Sequence, residues 1–447
     1  MDIINSINDV LWGPFMMVLL LGTGLMYTVR LKFIQVAKLG TAIRQIFGKK
    51  EGDSDAAGLS PYQSLTTAIA AQVGTGNLAG VATAIASGGP GAVFWMWLSA
   101  FLGMGTIFAE AVLAQLFNEE RDGVLTGGPA YYISKGLKSK FLAGFFAISI
   151  IIALGITGNI VQSNSIATAI KNAVPQIPSI VIGIVVAVLA GMIFIGGISR
   201  IGSFTEKIVP IMAVLYILGG IVIVVFNIDM LLPALKMIFY GAFNPRAATG
   251  GLIGATIKDS IRYGIARGLF SNEAGMGSTP HAHAVAKVDH PVSQGLVSMI
   301  GVIVDTGIVC TITALVIIMT GALGTGLTGP ELTQEGFRLG LSSITANFGI
   351  QFIAVTLFFF AFSTIVGWYF FGEQNVIYLF GSRGVLIYRV LVLAGIIIGS
   401  LLEVELVWSL ADMFNALMVI PNLIALIGLS SLVVKSTKDF NEKYEKK

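Results

Sequence analysis

Three kinds of residue are scarce in this chain of 447 residues: cysteine occurs once, histidine three times, and charged residues make up 11% of the total. The single cysteine, Cys310, excludes an intrachain disulfide and any cysteine-based metal cluster. A net charge of +3 is too small to indicate nucleic-acid binding. The charged fraction lies far below the roughly 25% typical of soluble domains. With 55% hydrophobic residues, the chain is predicted to be an integral membrane protein.

Long apolar runs fill most of the chain. A window of about 20 apolar residues per span predicts an all-α membrane protein with about eleven transmembrane helices. Their predicted limits are about 8–29, 61–88, 91–118, 140–172, 178–199, 204–227, 254–285, 292–322, 345–373, 385–402 and 404–434. The first run has no basic leader and no small-residue cleavage site, so we expect a retained helix rather than a signal peptide.

Basic residues cluster in two of the predicted loops. The loops after the first and third helices hold Arg30, Lys32, Lys38, Arg44, Lys49, Lys50, Arg121, Lys135, Lys138 and Lys140. Loops rich in lysine and arginine stay in the cytoplasm. We therefore expect a multi-pass plasma-membrane protein with its N-terminus outside and its C-terminus inside.

Two of the predicted helices are interrupted by polar, glycine-rich segments. The first break reads QVGTGN at 72–77, and the second break reads SNEAGMGS at 271–278. Within a membrane, non-helical backbone persists only where protein encloses it or where it lines a cavity. The alternative interpretation, that the glycines serve close helix packing, does not explain the polar residues beside them. Paired breaks predict a transporter with a binding site at the membrane midplane.

The ten helices after the first divide into five plus five. Because five is odd, the second half must cross the membrane in the opposite direction, which gives an inverted repeat whose halves each begin with a broken helix. The predicted organisation is an extra N-terminal transmembrane helix with a basic cytoplasmic loop (1–60), a first repeat (61–227), an extracellular connection (228–253), a second repeat (254–435) and a cytoplasmic tail (436–447).

Broken helices present both signs of partial charge to a ligand. Unpaired N–H groups attract an anion and unpaired carbonyls attract a cation, so a zwitterionic amino acid suits the pair. Two amides of the polar fourth helix are predicted to complete the site, and Trp368 is either a cap of the pocket or a packing residue. The predicted substrate-binding residues are Gln72, Thr75, Gly76, Asn159, Gln162, Phe270, Ser271, Asn272, Met276 and Trp368.

Adjacent hydroxyls interrupt an aromatic run in the ninth predicted helix. Ser363 and Thr364 follow the sequence FFFAF. Their oxygens are candidate ligands for a coupling cation, together with carbonyls of the first break. The alternative is that each hydroxyl donates a hydrogen bond to its own helix, as is common in membranes. The pattern alone leaves both interpretations open.

Ionisable residues inside spans are costly and therefore candidates for function. Glu110 lies in the third helix, and Glu273 lies in the second break. Glu273 is predicted either to approach the substrate ammonium or to fix the unwound backbone. Asp305, in the following helix, is predicted to reach Asn77.

Basic and acidic residues also occur in the outer halves of two spans. The gate candidates are Arg262, Arg267 and Asp412. One Arg–Asp pair is predicted to form an extracellular gate; the alternatives are a permanent structural salt bridge or a solvated vestibule face.

The three histidines lie close together in the sequence, at His281, His283 and His290. A His-x-His pair suggests zinc, but no closed set of four ligands accompanies it. We therefore expect these side chains in a surface loop.

Three stretches resemble the alanine/glycine:cation symporter family, the sodium:alanine symporters. They are AAQVGTGNLAGVATAI at 70–85, GGPGAVFWMW at 88–97 and GLFSNEAGMGS at 268–278. With the helix count, the resemblance extends over nearly the whole chain. It implies a LeuT-type fold of ten core helices plus one, and sodium-coupled import of alanine, and also of glycine, by alternating access. The choice between L- and D-alanine stays open.

The resemblance also implies roles for individual residues. In that fold a cation is held by backbone carbonyls and two hydroxyls, which correspond here to Ala70, Val73, Phe360, Ser363 and Thr364. A second cation position would fall near Asn77, Ser271 and Asp305. The acid at position 305 departs from the neutral amide often found there, so one-ion and two-ion coupling are both open.

Other function classes receive less support. The alternative of the same fold is a proton-coupled symporter or an exchanger that uses Glu273 or Asp305. An enzyme is not expected, because no nucleophile–base pair or metal set lies near either break. The expected partners are Na+ as coupling ion, a small neutral amino acid and the lipid bilayer, with no organic cofactor, nucleic acid or obligate protein partner.

Overall fold

The computed structural model describes residues 2–46, 58–121, 123–244, 255–343 and 347–444. Within these ranges the chain is almost entirely helical, as predicted, except for a short antiparallel hairpin of Glu119–Arg121 and Val124–Thr126. The predicted limits at 254 and 345 lie outside the described residues, as do 47–57 of the first loop and 245–253 of the predicted connection.

The helices follow the predicted apolar runs with several subdivisions. They are Asp2–Leu11, Pro14–Arg30, Ile34–Ala37, Leu39–Ile46, Pro61–Gln72, Gly76–Gly88, Ala92–Leu116, Pro129–Gly136, Lys140–Ala173, Ser179–Phe194, Gly197–Phe226, Leu231–Gly241, Ile257–Asn272, Pro280–Ala284, Pro291–Met319, Gly329–Gly340, Phe348–Phe380, Val385–Gly399, Val404–Gly428 and Ser430–Tyr444, with short 3-10 turns at Ile228–Met230, Ala322–Thr325 and Ser382–Gly384.

Seven described helices are long and apolar enough to cross a membrane. An eighth span is formed by Pro61–Gln72 and Gly76–Gly88, which meet at an angle of 48°. Pro14–Arg30 and Ser179–Phe194 are apolar but shorter, at 17 and 16 residues. The chain is therefore a multi-pass membrane protein, and the count of eleven helices stays a prediction.

The distribution of polar residues matches a lipid surrounding. Apolar side chains such as Val188, Leu218 and Val390 are more than half exposed along the spans. Polar side chains are instead buried between the helices, among them Thr67, Asn77, Gln162, Ser271 and Asp305. Because ionisable and amide groups are costly in hydrocarbon, their position inside the bundle marks where a polar ligand can be held.

Besides the π segment Gly76–Gly80 in the first broken helix, two spans contain π-helical segments that the sequence pattern did not predict. Ile151–Gly158 lies within the span Lys140–Ala173, and Ile303–Cys310 lies within Pro291–Met319. The first segment ends directly before Asn159, and the second contains Asp305. Because π segments frequently occur at functional sites, both direct attention to the side chains beside the breaks.

The first predicted helix, 8–29, is divided at Gly13. The short N-terminal helix Asp2–Leu11 packs on the C-terminal span Val404–Gly428, where the Asn8 amide donates to the Ser409 carbonyl at 2.8 Å. The Trp12 indole N–H, just after this helix, donates to the Asp412 carbonyl at 2.9 Å. This extra element is therefore attached to the part of the bundle that carries the gate candidate Asp412.

Candidate functional site

The first break is held by neutral amide side chains. The helix ends because Val73 leaves the helical region, with φ −82° and ψ 87°. The freed Gly74 N–H donates to Asn77 Oδ1 at 2.8 Å, and the Thr75 N–H donates to Gln162 Oε1 at 3.4 Å. The second of these bonds is long, so it is readily exchanged for a better acceptor.

Two glycines of the first break allow close approach of neighbouring elements. A Cβ on Gly76 would lie 2.9 Å from the Ser271 Cα, and a Cβ on Gly74 would collide with Thr364 Oγ1. The glycine at 76 thus brings the two breaks into contact, and the glycine at 74 brings the first break against the long helix Phe348–Phe380. No larger residue fits either position without displacing a neighbour.

The hydroxyl pair of the long helix meets the first broken helix. Thr364 Oγ1 lies 2.9 Å from the Ala70 carbonyl oxygen and 3.0 Å from that of Phe360. Ser363 Oγ lies 2.9 Å from the Phe360 carbonyl oxygen and 3.4 Å from that of Ala70. A hydroxyl has one hydrogen, so it serves one carbonyl at a time. Bonding within the helix, the alternative interpretation, is therefore present, and both hydroxyls also approach the Ala70 carbonyl of the first broken helix. Their role as cation ligands stays a prediction.

Four of the five predicted sodium ligands thus converge. Val73 is fully buried, and its N–H donates to the Ile69 carbonyl at 2.7 Å. The Val73 carbonyl is the one predicted ligand that takes no part in the hydrogen bonds described above for Ala70, Phe360, Ser363 and Thr364. The converging set consists of two hydroxyl oxygens and two carbonyl oxygens, all uncharged, which suits a hard monovalent cation that must be released again.

The second break has an unusual backbone that carboxylates hold in place. Glu273 ends the helix Ile257–Asn272 with a left-handed φ of 58°, and Gly275 and Gly277 have φ of 90° and 80°. The Trp368 indole N–H donates to Glu273 Oε1 at 2.5 Å, and the Ser278 hydroxyl donates to Oε2 at 2.5 Å. Both contacts are with side chains, one of them inside the break, and the two predicted roles of Glu273 stay predictions.

Asp305 connects the two breaks. Its Oδ1 accepts from Asn77 Nδ2 at 2.5 Å and from the Ser271 hydroxyl at 2.9 Å, while its Oδ2 accepts from the Thr306 hydroxyl at 2.7 Å. The predicted contact with Asn77 is confirmed. All three residues of the predicted second cation position come together, but Asn77 presents its nitrogen to Asp305 and its oxygen to the Gly74 N–H.

Several predicted substrate residues carry buried oxygens without a hydrogen-bond partner. These atoms are Gln72 Oε1, Thr75 Oγ1 and Asn159 Oδ1. The nitrogens of the two amides are occupied: Gln72 Nε2 donates to the Asn272 carbonyl at 2.7 Å, and Asn159 Nδ2 donates to the Gly155 carbonyl at 2.9 Å. Unsatisfied buried polar atoms are rare in proteins, so the two in the first break, on Gln72 and Thr75, indicate a place for a polar ligand.

Aromatic rings enclose this region. Phe270 packs edge-on against Trp368 with ring centroids 5.9 Å apart, and it contacts Trp408 at 5.1 Å. Met276 is 1% exposed and belongs to the same apolar core. Trp368 is therefore both a packing residue and the hydrogen-bond partner of Glu273.

The gate candidates form two separate ion pairs. Arg267 donates two parallel bonds to the Asp412 carboxylate at 2.9 and 2.8 Å, and its guanidinium lies 5.2 Å from the Trp408 ring centre. Arg262 instead pairs with Asp9 of the N-terminal helix at 2.6 Å. Beside Arg267 and Trp408 lies a pocket of about 480 Å³. Arg267 and Trp408 line this pocket, and Trp408 also contacts Phe270 of the aromatic enclosure.

The histidine prediction was wrong in its location. His281 and His283 are 1% and 0% exposed, because the short helix Pro280–Ala284 packs inside the bundle. The His281 ring stacks on Phe146 and lies 2.8 Å from Asn375 through Nε2. Among the described residues, no group of three or more histidine, cysteine or acidic side chains is arranged to hold a metal ion.

Sequence reasoning missed the partners of the second break. Glu110 was a candidate only as an ionisable residue in a span, and Asn422 and Tyr132 were not considered. Glu110 accepts hydrogen bonds from the Gly275 and Gly277 N–H groups at 3.0 and 2.9 Å. The available signal was a lone acid and a lone amide in apolar helices, but nothing local indicates which backbone they reach.

Two broken helices that meet inside a bundle of apolar helices, with polar groups enclosed between them, define a secondary transporter. The chain matches the model of the sodium:alanine symporter family over residues 1–447. It therefore belongs to that family and is an amino-acid symporter of the plasma membrane, not an enzyme.

Relatives of known name cover nearly the same length. The sodium/alanine symporter AgcS of Methanococcus maripaludis is 44% identical over 99% of this chain and 97% of its own. A protein named as a probable sodium/glutamine symporter, GlnT of Bacillus subtilis, is 41% identical over 98% of this chain and 90% of its own. YrbD of the same organism, provisionally named a sodium/proton-dependent alanine carrier protein, is 41% identical over 98% and 92%.

Proposed function

We propose that this symporter couples Na+ to the import of small neutral amino acids, with alanine of either hand and glycine as substrates. The single observation that carries the proposal is the group of four neutral oxygens from Ala70, Phe360, Ser363 and Thr364 beside the first break. We further propose the LeuT-type arrangement of two inverted five-helix repeats with the divisions given above, with the N-terminus outside.

The chemistry of the oxygens favours sodium over a proton at this position. Hydroxyl and carbonyl oxygens are not protonated near neutral pH, whereas a hard cation binds several of them at once. Ion binding would turn the hydroxyl hydrogens away and hold the Ala70 carbonyl and Thr364 through a shared cation instead of through their hydrogen bond of 2.9 Å. The first break would then be ordered before the amino acid arrives.

One sodium ion per cycle is the simpler stoichiometry. A second ion between Asn77, Ser271 and Asp305 would need the Asn77 oxygen, which now accepts from the Gly74 N–H at 2.8 Å. Rotating that amide would release the Gly74 N–H and turn an N–H₂ donor away from the Asp305 carboxylate. Asp305 instead acts as the anionic connection between the two breaks.

The unsatisfied oxygens match the two ends of a zwitterion. Gln72 Oε1 and Asn159 Oδ1 are acceptors for an ammonium group, while the Thr75 hydroxyl and the weakly bonded Thr75 N–H are donors for a carboxylate. Phe270 and Trp368 limit the side chain to a small one. Because these polar contacts leave the methyl group to an apolar wall, both hands of alanine are accepted.

Alternating access requires a barrier on each side in turn. In the proposed orientation, the bidentate Arg267–Asp412 pair and the neighbouring Trp408 would form the outer barrier; the pair's N–O distance of 2.8 Å and the ring contact of 5.2 Å support this assignment. Release of that pair would open a path from the adjacent pocket to Phe270. We therefore propose that it acts as an extracellular gate.

Binding of alanine to the purified protein in detergent tests the proposal. In calorimetry, L-alanine should bind in sodium chloride and show at least roughly tenfold weaker binding in potassium chloride, since both ligands bind the same break. D-alanine and glycine should displace it, whereas glutamine should not. Equal binding in both salts would exclude sodium coupling, and displacement by glutamine would contradict the small pocket.

Proton coupling is the second candidate, because three carboxyls are completely buried beside the breaks: those of Glu110, Glu273 and Asp305. Uptake into sealed vesicles separates the two. Uptake that persists without sodium and collapses with a protonophore would favour the proton, and uptake driven by a sodium gradient at equal pH would exclude it.

A further inference from the structure

The second break leaves backbone N–H groups that its own helix cannot satisfy. Gly275 and Gly277 adopt positive φ, so their N–H groups point away from the preceding helical carbonyls. A buried N–H without an acceptor is costly, and Gly275 and Gly277 are both buried. The partner of these two groups therefore determines the conformation of the break.

A single carboxylate satisfies both groups. Glu110, on the span Ala92–Leu116, accepts from the Gly275 N–H through Oε2 at 3.0 Å and from the Gly277 N–H through Oε1 at 2.9 Å. It is 0% exposed. Because two oxygens of one rigid group hold N–H groups two residues apart, they fix the turn between them.

An amide and a phenol orient this carboxylate. Asn422 Nδ2 donates to Glu110 Oε1 at 2.6 Å and to the Gly275 carbonyl at 2.9 Å, so both sides of the Gly275 residue are bound. The Tyr132 hydroxyl donates to Asn422 Oδ1, which fixes the direction of the amide. All of the hydrogen bonds described for Glu110 are ones that it accepts.

The turn held by Glu110 carries the residues that meet the substrate region. Glu273, two residues before Gly275, is bound to Trp368, and Ser271 and Asn272 are bound to Asp305 and Thr306. A change in the turn would move these side chains together. The sodium ligands lie on other elements, the first broken helix and the long helix Phe348–Phe380.

We propose that Glu110 is a positioning residue that holds the second break in its amino-acid-binding conformation without contacting the amino acid. A glutamine cannot replace it, because an amide offers one acceptor oxygen and turns an N–H₂ donor toward the other glycine N–H. This inference rests on the proposed function, because the binding measurement below requires that the protein binds alanine. The measurement of backbone hydrogen exchange does not require it.

The test compares Glu110→Gln with Glu120→Gln, which makes the same chemical change at an exposed position of the hairpin. Hydrogen–deuterium exchange of residues 273–278 should become roughly tenfold faster in Glu110→Gln only. The alanine dissociation constant in saturating sodium should rise roughly tenfold, while the sodium dissociation constant without alanine should stay within about twofold.

A second variant keeps the proposal testable if Glu110→Gln does not fold. Asn422→Ala removes the supporting donor but leaves both glycine bonds to Glu110, so it should produce the same selective change at about threefold. Unchanged exchange and alanine affinity in the folded variants would overturn the proposal. Equal losses of sodium and alanine affinity would also overturn it, because they indicate general destabilisation. If the wild type bound no alanine, the proposed function would fail, and the exchange result would still decide the role of Glu110.

Discussion

The two breaks are held by different chemistry. Neutral amides satisfy the first break, and its Thr75 N–H has an acceptor only at 3.4 Å. Carboxylates hold the second break, where Glu110 and Glu273 make bonds of 2.5 to 3.0 Å. Each of these carboxyls accepts through both of its oxygens, over shorter distances than the one between the Thr75 N–H and Gln162.

This difference implies that the first break can exchange its hydrogen-bond partners, whereas the second break keeps a fixed backbone conformation. In the first break, a long bond and unpaired oxygens at Gln72 and Thr75 can be replaced by ligand contacts at little cost. In the second break, moving the backbone would leave the buried Gly275 and Gly277 N–H groups without their acceptors, at a cost of about 1–3 kcal/mol each. We therefore expect ligand binding to reorganise the first break far more than the second.

The largest effect is expected from a substitution that removes one of the proposed cation ligands beside the first break. Thr364→Val keeps the shape of the side chain but loses the oxygen that lies 2.9 Å from the Ala70 carbonyl oxygen. Sodium affinity should fall roughly 100-fold, since one of four ligands is lost. Thr356→Val is the matched control: this buried hydroxyl on the same helix donates only to carbonyls of its own helix. Equal sodium affinity in the two variants would contradict the assignment.

The next effect concerns the contact between the breaks. Gly76→Ala would place a Cβ 2.9 Å from the Ser271 Cα, whereas Gly80→Ala in the same π segment would have its nearest neighbour at 3.9 Å. Overpacking against backbone costs about 1–3 kcal/mol. Alanine uptake into vesicles should therefore fall roughly tenfold or more for Gly76→Ala and stay near the wild-type rate for Gly80→Ala. If both variants transported equally well, the breaks would not need this close contact.

A smaller effect is expected from the weak bond of the first break. Gln162→Leu removes the acceptor of the Thr75 N–H at 3.4 Å. Because this bond is long and neutral, the alanine dissociation constant should rise only about threefold, corresponding to roughly 0.7 kcal/mol. Isothermal titration calorimetry in saturating sodium measures the alanine dissociation constant of Gln162→Leu and of Glu110→Gln under the same conditions. A larger loss in Gln162→Leu than in Glu110→Gln would reverse the contrast between the two breaks.

The smallest effect is expected from breaking the ion pair of Arg262, near the N-terminal end of the helix Ile257–Asn272. Asp9 pairs with Arg262 at 2.6 Å, but its side chain is 64% exposed. Exposed ion pairs contribute about 0–1 kcal/mol, and the carboxylates already hold this broken helix. Asp9→Asn should leave the unfolding temperature and alanine uptake close to wild type. Asp412→Asn, which breaks the more buried pair with Arg267, should change both more strongly.

Local sequence signals were sufficient for the positions of the two breaks and for selecting Ser363 and Thr364 as candidates, while the expected contact with Ala70 came from the family resemblance. Gly74 and Gly277 lie where the backbone departs from the helix, and Ser363 and Thr364 face the Ala70 carbonyl as expected. Other signals misled. His283 is polar and lies near the end of an apolar run, which predicted a surface position, yet it is completely buried. Burial depends on which helices surround a residue, and hydropathy along the chain does not contain that information.

The amino-acid sequence by itself determined the membrane class, the two interrupted helices, the candidate ligands and the family. These properties follow from composition, from glycine among polar residues, and from motifs of neighbouring residues. Only the tertiary structure decided which groups satisfy the interrupted backbone. Glu110 and Gly275 are 165 residues apart, and Asn422 lies 312 residues from Glu110. A hydrogen bond depends on distance in space, and packing of the spans brings these distant groups within 3 Å.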